Sequence, residues 1–366
     1  MSDLRGIAPV HAKRLQNKEM QILARGASAP LIRDRPSMNN LITDLPGVLV
    51  GAAEDVQVAS GVSVVVFEQP AVASIAVHGG APALRDSALL EPEMTVQQVD
   101  ALVLSGGSAF GLDATGGAMA QLAGIGRGFP VGDRRVPIAP GASLFDLLNG
   151  GDKNWGRRAP YWELGFEAAA SAAKDFALGT AGAGYGATTY DLKGGLGSAS
   201  AVTSRGFLVG ALVAVNAVGR ATRGSGPHFW AAPYERDSEF GGLGAPDKAP
   251  ADALELKLKG DAPASTNIAV VATDARFSKA QMKRVAIMAQ DGVALALRPA
   301  HAPMDGDVVF AATTSRATVE PDLRDLAEIG MLAAECLARA IARGVFEATP
   351  LPYPTAPPSW RKHYGW

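Results

Sequence analysis

Apolar positions come in short runs separated by Gly, Pro and charged residues, and one run stands out. Ile268-Ala269-Val270-Val271-Ala272 is unbroken, and Ile268, Val270 and Val271 are β-branched, the pattern of a strand buried on both faces. Its lead-in, Asp261-Ala262-Pro263-Ala264-Ser265, has turn and linker character. Thr266 therefore stands where a loop meets a buried strand, a position at which a hydroxyl can be held rigidly yet face a cleft.

The remaining runs predict the other elements. Residues 40–51 read as strand and turn. Residues 61–67 and 73–77 read as two strands joined by Glu68-Gln69-Pro70-Ala71 into an antiparallel hairpin. Residues 101–104 form a short buried strand, followed by a Gly-rich loop at 105–113 and an Ala/Gly-rich helix through Gly126. Residues 137–146 are extended, and 167–173 mark a helix. Residues 199–203 and 207–216 form a second hairpin around Arg205-Gly206. Residues 220–259, rich in Gly, Pro and charge, read as an exposed excursion. After the central strand, Ser278 caps a helix with Gln281 at the capping-box position and Met282, Val285, Ala286 and Ala289 on its apolar face. Residues 303–314 supply a turn and a strand, 322–343 a long amphipathic helix, and 350–366 an irregular tail pinned by Trp360 and Trp366. Residues 1–38 read as an extension, helical at most around 12–24, ahead of a single domain at 39–366. Hairpins with helices between them predict a layered α+β domain rather than a doubly wound parallel sheet.

Composition narrows the class. Hydrophobic residues make up 48% of the 366 and charged residues 19%, enough for a sizeable core. A formal net charge of −2 gives no reason to expect nucleic-acid or membrane binding. The one cysteine, Cys336, excludes an intramolecular disulfide and falls in an apolar helical run, where a buried inert thiol is expected. The first 40 residues lack a signal-peptide apolar region and no stretch is long enough to span a bilayer, so a cytoplasmic protein is expected.

Several residues are candidates for chemistry. The loop at 105–113 lacks the spacing of a phosphate-binding loop; its small residues instead suit close helix–sheet packing, with Ser108 lining a substrate pocket. Tyr185, in the Gly-rich stretch 182–186, is a second pocket candidate. His78 has no carboxylate or second His at ligand spacing and reads as structural. Asp305-Gly306-Asp307 puts two carboxylates at i and i+2, on one side of an extended segment; taken alone it also suits a solvated turn. No further acidic ligands follow at the spacing of a Ca²⁺ loop. Asn216 ends a strand and Lys193 precedes Gly194-Gly195; alone these suit a turn and a surface position.

Ser265-Thr266-Asn267-Ile268, with the apolar run and Thr273-Asp274 behind it, resembles the self-cleavage site of the P1 peptidase family. That family includes DmpA-type D-aminopeptidase/esterases, β-peptidyl aminopeptidases and nylon-oligomer (6-aminohexanoate oligomer) hydrolases. Pro303-Met304-Asp305-Gly306-Asp307 and the run after it resemble the nylon-oligomer branch, the peptidase branch carrying Ser-x-Glu there. The resemblance covers roughly residues 40–345. It implies an αββα four-layer sandwich, cut before Thr266 into chains 1–265 and 266–366, with Thr266 as nucleophile. The freed α-amine would be its base, such amines titrating near ~7.7–8.0. The resemblance gives Asp305 and Asp307 the task of orienting Thr266 and holding its ammonium form, Asn216 that of an oxyanion donor, and Lys193 a hydrogen bond to the hydroxyl. Phe145 stands at the pocket position where the family has Tyr. Ser265 stands where the nylon-oligomer branch has Asn and the peptidase branch Gly. The implied partner is a short linear amide, namely a small peptide, β-peptide or 6-aminohexanoate oligomer, with no metal or organic cofactor. A homo-oligomer of processed heterodimers is expected. The alternatives are an acyltransferase of the ornithine acetyltransferase type and an uncleaved small-molecule-binding protein.

Overall fold

The computed structural model describes residues 38–260, 265–354 and 356–366. The helix expected around 12–24 and most of the lead-in to Thr266 lie outside the described residues.

The architecture pivots on one strand. Ser60–Val77 (β2) runs unbroken for 18 residues. Its first half pairs antiparallel with Val48–Asp55 (β1) and its second half with Val308–Thr313 (β11). Gln98–Ser105 (β4) runs beside both halves, with a register shift between Val66 and Ala71. This corrects the hairpin expected at 68–71. Glu68-Gln69-Pro70-Ala71 holds no Gly, Asn or Asp to reverse the chain. Instead Glu68, Gln69 and Pro70 are exposed in the interval where pairing with β4 lapses, and there Pro70 needs no N–H.

The nine-stranded sheet continues on one side of β2 and β4 through Gly141–Ser143 (β7) and Ala83–Arg85 (β3). On the other side it runs through β11, Ile268–Thr273 (β10), Leu208–Val215 (β9) and Gly195–Val202 (β8). The β8–β9 hairpin forms as predicted around Arg205-Gly206. Phe129–Val131 (β5) and Arg134–Val136 (β6) make a separate small ribbon.

Side-chain alternation sorts the chain into three cores and so into four layers. Val62, Val64, Val66, Ala101 and Val103 pack with helices Ala114–Gly124 (α1) and Tyr161–Ala170 (α2). The opposite alternants Val65, Phe67, Leu102 and Leu104 meet Leu212, Ile268, Val270 and Phe310 in the middle. Val209, Val213, Ala269, Val271, Val309 and Ala311 face a third core shared with Lys279–Ala289 (α3), Asp291–Ala296 (α4) and Leu323–Phe346 (α5). All six residues of β10 are buried, as its β-branched composition predicts. The result is the expected αββα sandwich.

Local signals explain most boundaries. Ser278 caps α3, its hydroxyl accepting from Gln281 N at 3.3 Å, and Asp322 caps α5, accepting from Arg324 N at 2.7 Å and Asp325 N at 3.0 Å. Helix α2 starts at Tyr161, earlier than expected, because Pro160 suits a helix start and Tyr161 and Leu164 supply the buried face. The excursion at 220–259 is less exposed than its composition predicts. Phe229 and Phe240 are buried, and Phe229 stacks at 5.5 Å on the fully buried Trp360. Trp360 opens a short helix, Trp360–Tyr364 (α6), inside the tail expected to be irregular. Cys336 is buried, which pushes its thiol up to about 12. No helix among the described residues is long and apolar enough to cross a membrane.

Candidate active site

Strands β10 and β11 are parallel neighbours at the centre of their sheet, and their pairing extends beyond their N-terminal ends. Ser265 bridges Asp305, Ser265 O accepts from Gly306 N at 2.9 Å, and Asn267 O accepts from Val308 N at 2.9 Å. This register sets Thr266 beside Gly306 and Asn267 beside Asp307. The glycine between the aspartates is thereby explained: a Cβ on Gly306 would lie 2.7 Å from Thr266 Oγ1, too close to tolerate.

Thr266 is almost fully buried. Its N–H donates to Asn216 O at 2.9 Å, and its hydroxyl donates to the Ser265 carbonyl at 2.6 Å. The Ser265 carbonyl oxygen therefore receives two donors, the Thr266 hydroxyl and the Gly306 N–H.

The two aspartates differ sharply. Asp307 is saturated: Oδ1 accepts from Asn267 N at 3.1 Å and Nδ2 at 2.8 Å, and Oδ2 accepts from His301 N at 3.0 Å and Nδ1 at 2.9 Å. Asp305 Oδ1 accepts from Val218 N at 3.3 Å, while Oδ2 is buried with no hydrogen-bond partner among the described residues. Burial, and then the charge of Asp307, push the Asp305 carboxyl up to about 7. A carboxyl with one open oxygen and that affinity suits proton exchange near neutral pH.

Asn216 is fully buried and ties the surroundings together. It donates from N to Asn267 Oδ1 at 3.1 Å and from Nδ2 to Phe145 O at 2.9 Å. Its Oδ1 accepts from Thr188 N at 3.0 Å and Lys259 Nζ at 2.9 Å. Lys193 is fully buried but its ammonium donates to three carbonyls, of Gly184 at 3.0 Å, Ala187 at 2.9 Å and Gly194 at 2.9 Å. Those bonds use its three protons, and the hydrogen bond expected to the Thr266 hydroxyl is not formed in the uncut chain. Burial pulls the Lys193 ammonium down to about 7 and that of Lys259 down to about 8.

Thr266, Asn216, Asn267 and Asp307 thus form one hydrogen-bonded chain, which Phe145 joins through its carbonyl; Asp305, whose side chain bonds only Val218 N among the described residues, stands beside it through the backbone bridge to Ser265. Ser108 and Tyr185 are half-buried, and neither has a hydrogen bond to Thr266 among the described residues. Ser108 N donates to Leu144 O at 2.8 Å, beside Phe145, and Tyr185 lies three residues before Thr188. His78 is exposed and packs edge-on at 5.2 Å against His301, the histidine that does hold a catalytic candidate. Sequence reasoning missed His301, Lys259 and the buried Asp146, which accepts from Ser60 Oγ at 2.6 Å and Gly107 N at 2.8 Å. Asp146 had a signal, its place next to Phe145; His301 and Lys259 stand in stretches with no periodicity to mark them. Among the described residues no group of three or more His, Cys, Asp or Glu is disposed to hold a metal.

The fold matches solved structures along nearly its whole length. A Burkholderia sp. β-aminopeptidase superposes with a TM-score of 0.63 at 19% identity, covering 90% of this chain and 93% of that one. The L-aminopeptidase D-Ala-esterase/amidase of Ochrobactrum anthropi, described as a variant of the Ntn-hydrolase fold, does so with a TM-score of 0.64 at 20% identity, covering 89% and 94%. The fold is therefore that variant of the Ntn-hydrolase fold. The sequence specifies the family: the model of peptidase family S58 matches residues 40–355, and the chain belongs to that family and is a hydrolase of peptide bonds. It is 40% identical over 333 residues to an uncharacterized aminopeptidase of Mycobacterium bovis, covering 85% of this chain and 95% of the relative. It is 39% identical over 335 residues to one of Mycobacterium leprae, covering 84% and 91%.

Proposed function

We propose that this peptidase is an aminopeptidase that cuts itself between Ser265 and Thr266 and then uses Thr266 as an N-terminal nucleophile on short linear amides with a free amino end. The observation that supports this most is the Thr266 hydroxyl, 2.6 Å from a Ser265 carbonyl oxygen that also accepts from Gly306 N–H. In the uncut chain the hydroxyl oxygen attacks the Ser265 carbonyl carbon. The Gly306 N–H stabilises the charge that develops on the carbonyl oxygen. The C–N bond breaks, the amide nitrogen takes up the proton that the hydroxyl gives up, and the acyl group rests on Oγ1 as an ester. Water hydrolyses the ester, leaving a Ser265 carboxylate and a free Thr266 amine.

In the processed enzyme that amine takes the hydroxyl proton as Thr266 attacks a substrate carbonyl. Asp307, fixed by His301 and Asn267, orients the strand that carries Thr266. Asp305, with its open oxygen and raised affinity, exchanges a proton with the amine. Asn216 keeps a second Nδ2 proton beyond its bond to Phe145 O for the oxyanion. The aminopeptidase names of the relatives support a free amino end on the substrate, and the Asp-Gly-Asp segment supports 6-aminohexanoate oligomers beside small peptides and β-peptides. Phe145 brings no phenol hydroxyl to that pocket. A cytoplasmic homo-oligomer of processed heterodimers completes the reading.

Intact mass and N-terminal sequencing of the wild type beside Thr266→Ala test it. The wild type should give two chains, the smaller starting at Thr266, and the variant one. An active wild type that stays whole would remove the α-amine, and this mechanism with it.

A further inference from the structure

A cavity of about 670 Å³, lined in part by the Asp307 partner His301, falls within the roughly 300–1,000 Å³ span of small-molecule sites. Its polar lining consists largely of donors. The guanidinium groups of Arg223 and Arg298 lie over the ring of Trp230, at 5.1 and 5.8 Å from its centroid. The nearby Arg220 is paired with Asp191 at 2.7 Å and Asp252 at 2.8 Å, whereas Arg223 and Arg298 have no carboxylate partner among the described residues. Arg223 Nε and Trp230 Nε1 are both buried without an acceptor. Glu255, the acid in the lining, is held by Lys257 at 3.0 Å. Two cations against one indole, with N–H groups of Arg223 and Trp230 buried and orphaned, lack an anionic acceptor among the described residues. Apart from Tyr234 and His301, the rest of the wall is apolar. Leu254 and Leu256, each 71% exposed, and Leu295 and Leu297 line the same space and suit a short aliphatic body.

We propose that this cavity binds the carboxylate end of a short aliphatic molecule, with Arg223, Arg298 and Trp230 taking the carboxylate and the leucines its chain. The place fits the chemistry. His301 lines the cavity and bonds Asp307, and Arg298 pairs through its backbone with Arg220, at the end of the segment that begins at Asn216. A linear amide hydrolysed at Thr266 carries a carboxylate at its far end and releases another, so two sources supply the same group. The link to substrate rests on the aminopeptidase reading; the binding does not.

The test uses the full Thr266→Ala chain, so that binding is read whether or not the protein is a hydrolase. Tryptophan fluorescence is titrated with sodium hexanoate and with hexanamide, for this chain and for the same chain carrying Arg223→Gln and Arg298→Gln. Hexanoate should give a saturable change, and hexanamide and the arginine variant should each bind about tenfold more weakly or worse. Equal binding of hexanamide, an unaltered affinity in the arginine variant with an unchanged melting temperature, or no saturable signal would overturn the proposal. Kinetics of the arginine variant with Thr266 intact then separate the sources. A KM raised for a peptide acid but not for its C-terminal amide identifies the substrate's own carboxylate. Hexanoate binding lost with both KM values unchanged identifies a separate carboxylate ligand.

Discussion

The two flanks of Thr266 are built on opposite principles. On the 301–307 flank two carboxylates are buried together, and one oxygen, Asp305 Oδ2, has no partner among the described residues. On the 184–194 flank Lys193 is buried just as deeply, but every proton of its ammonium meets a carbonyl. Burial shifts both groups towards neutrality, Asp305 up to about 7 and Lys193 down to about 7. What separates them is saturation. An unsatisfied titratable group is available to exchange a proton, whereas a satisfied one is a structural tie. Under the proposed mechanism Asp305 takes part in the chemistry, and Lys193 holds the Gly-rich loop.

The most severe way to break this contrast is Asp305→Asn. The amide oxygen can still accept from Val218 N–H, so the fold should hold, but an NH₂ that takes no proton near neutral pH replaces the open oxygen. Hydrolysis by the processed chain should fall by about 10²–10⁴. Near wild-type turnover, with cleavage and melting temperature unchanged, would empty the aspartate flank of its role. Lys193→Met is the milder counterpart. It leaves the carbonyls of Gly184, Ala187 and Gly194 without their donor, and stability should drop by about 2 kcal/mol. Hydrolysis at a temperature where the variant is folded should change by less than about tenfold. If instead stability held and hydrolysis collapsed, Lys193 would belong to the chemistry, as the sequence resemblance implies.

The same contrast explains what was legible in the sequence. Elements with a local cause could be read directly: β10 from its β-branched run, α3 from Ser278 and Gln281, and the β8–β9 hairpin from Arg205-Gly206. The spacing of Asp305 and Asp307 was legible too, though the reason for Gly306 needed the neighbouring Thr266. Residues whose role comes from long-range contact were silent. His301 reaches Asp307 through a turn, and Lys259 reaches Asn216 from a stretch that composition marks as exposed. The polar Glu68-Gln69-Pro70 looks like a turn, yet β2 passes straight through it because separate strands hold its two halves.

A further effect follows from the same two shifts, which have opposite consequences for stability. Asp305 has an ordinary value of 3.8 when unfolded and about 7 when folded, so from pH 4 to 7 the folded chain binds more protons than the unfolded one. Its contribution is fully present below the unfolded value and is lost as pH rises through the folded one. Lys193 has an ordinary value of 10.5 and a folded value of about 7, so above neutrality the unfolded chain binds more protons and stability rises with pH. Together they give the uncut Thr266→Ala chain a local dip in stability near pH 7. Denaturant melts from pH 5 to 9 check this, and the two flanks can be separated. Asp305→Asn in that background should make the acid side of the dip shallower and leave the alkaline side, while Lys193→Met should make the alkaline side shallower, where Lys259, drawn down to about 8, keeps part of the rise. A dip that survives both substitutions unchanged would show that neither flank carries the buried charge described here.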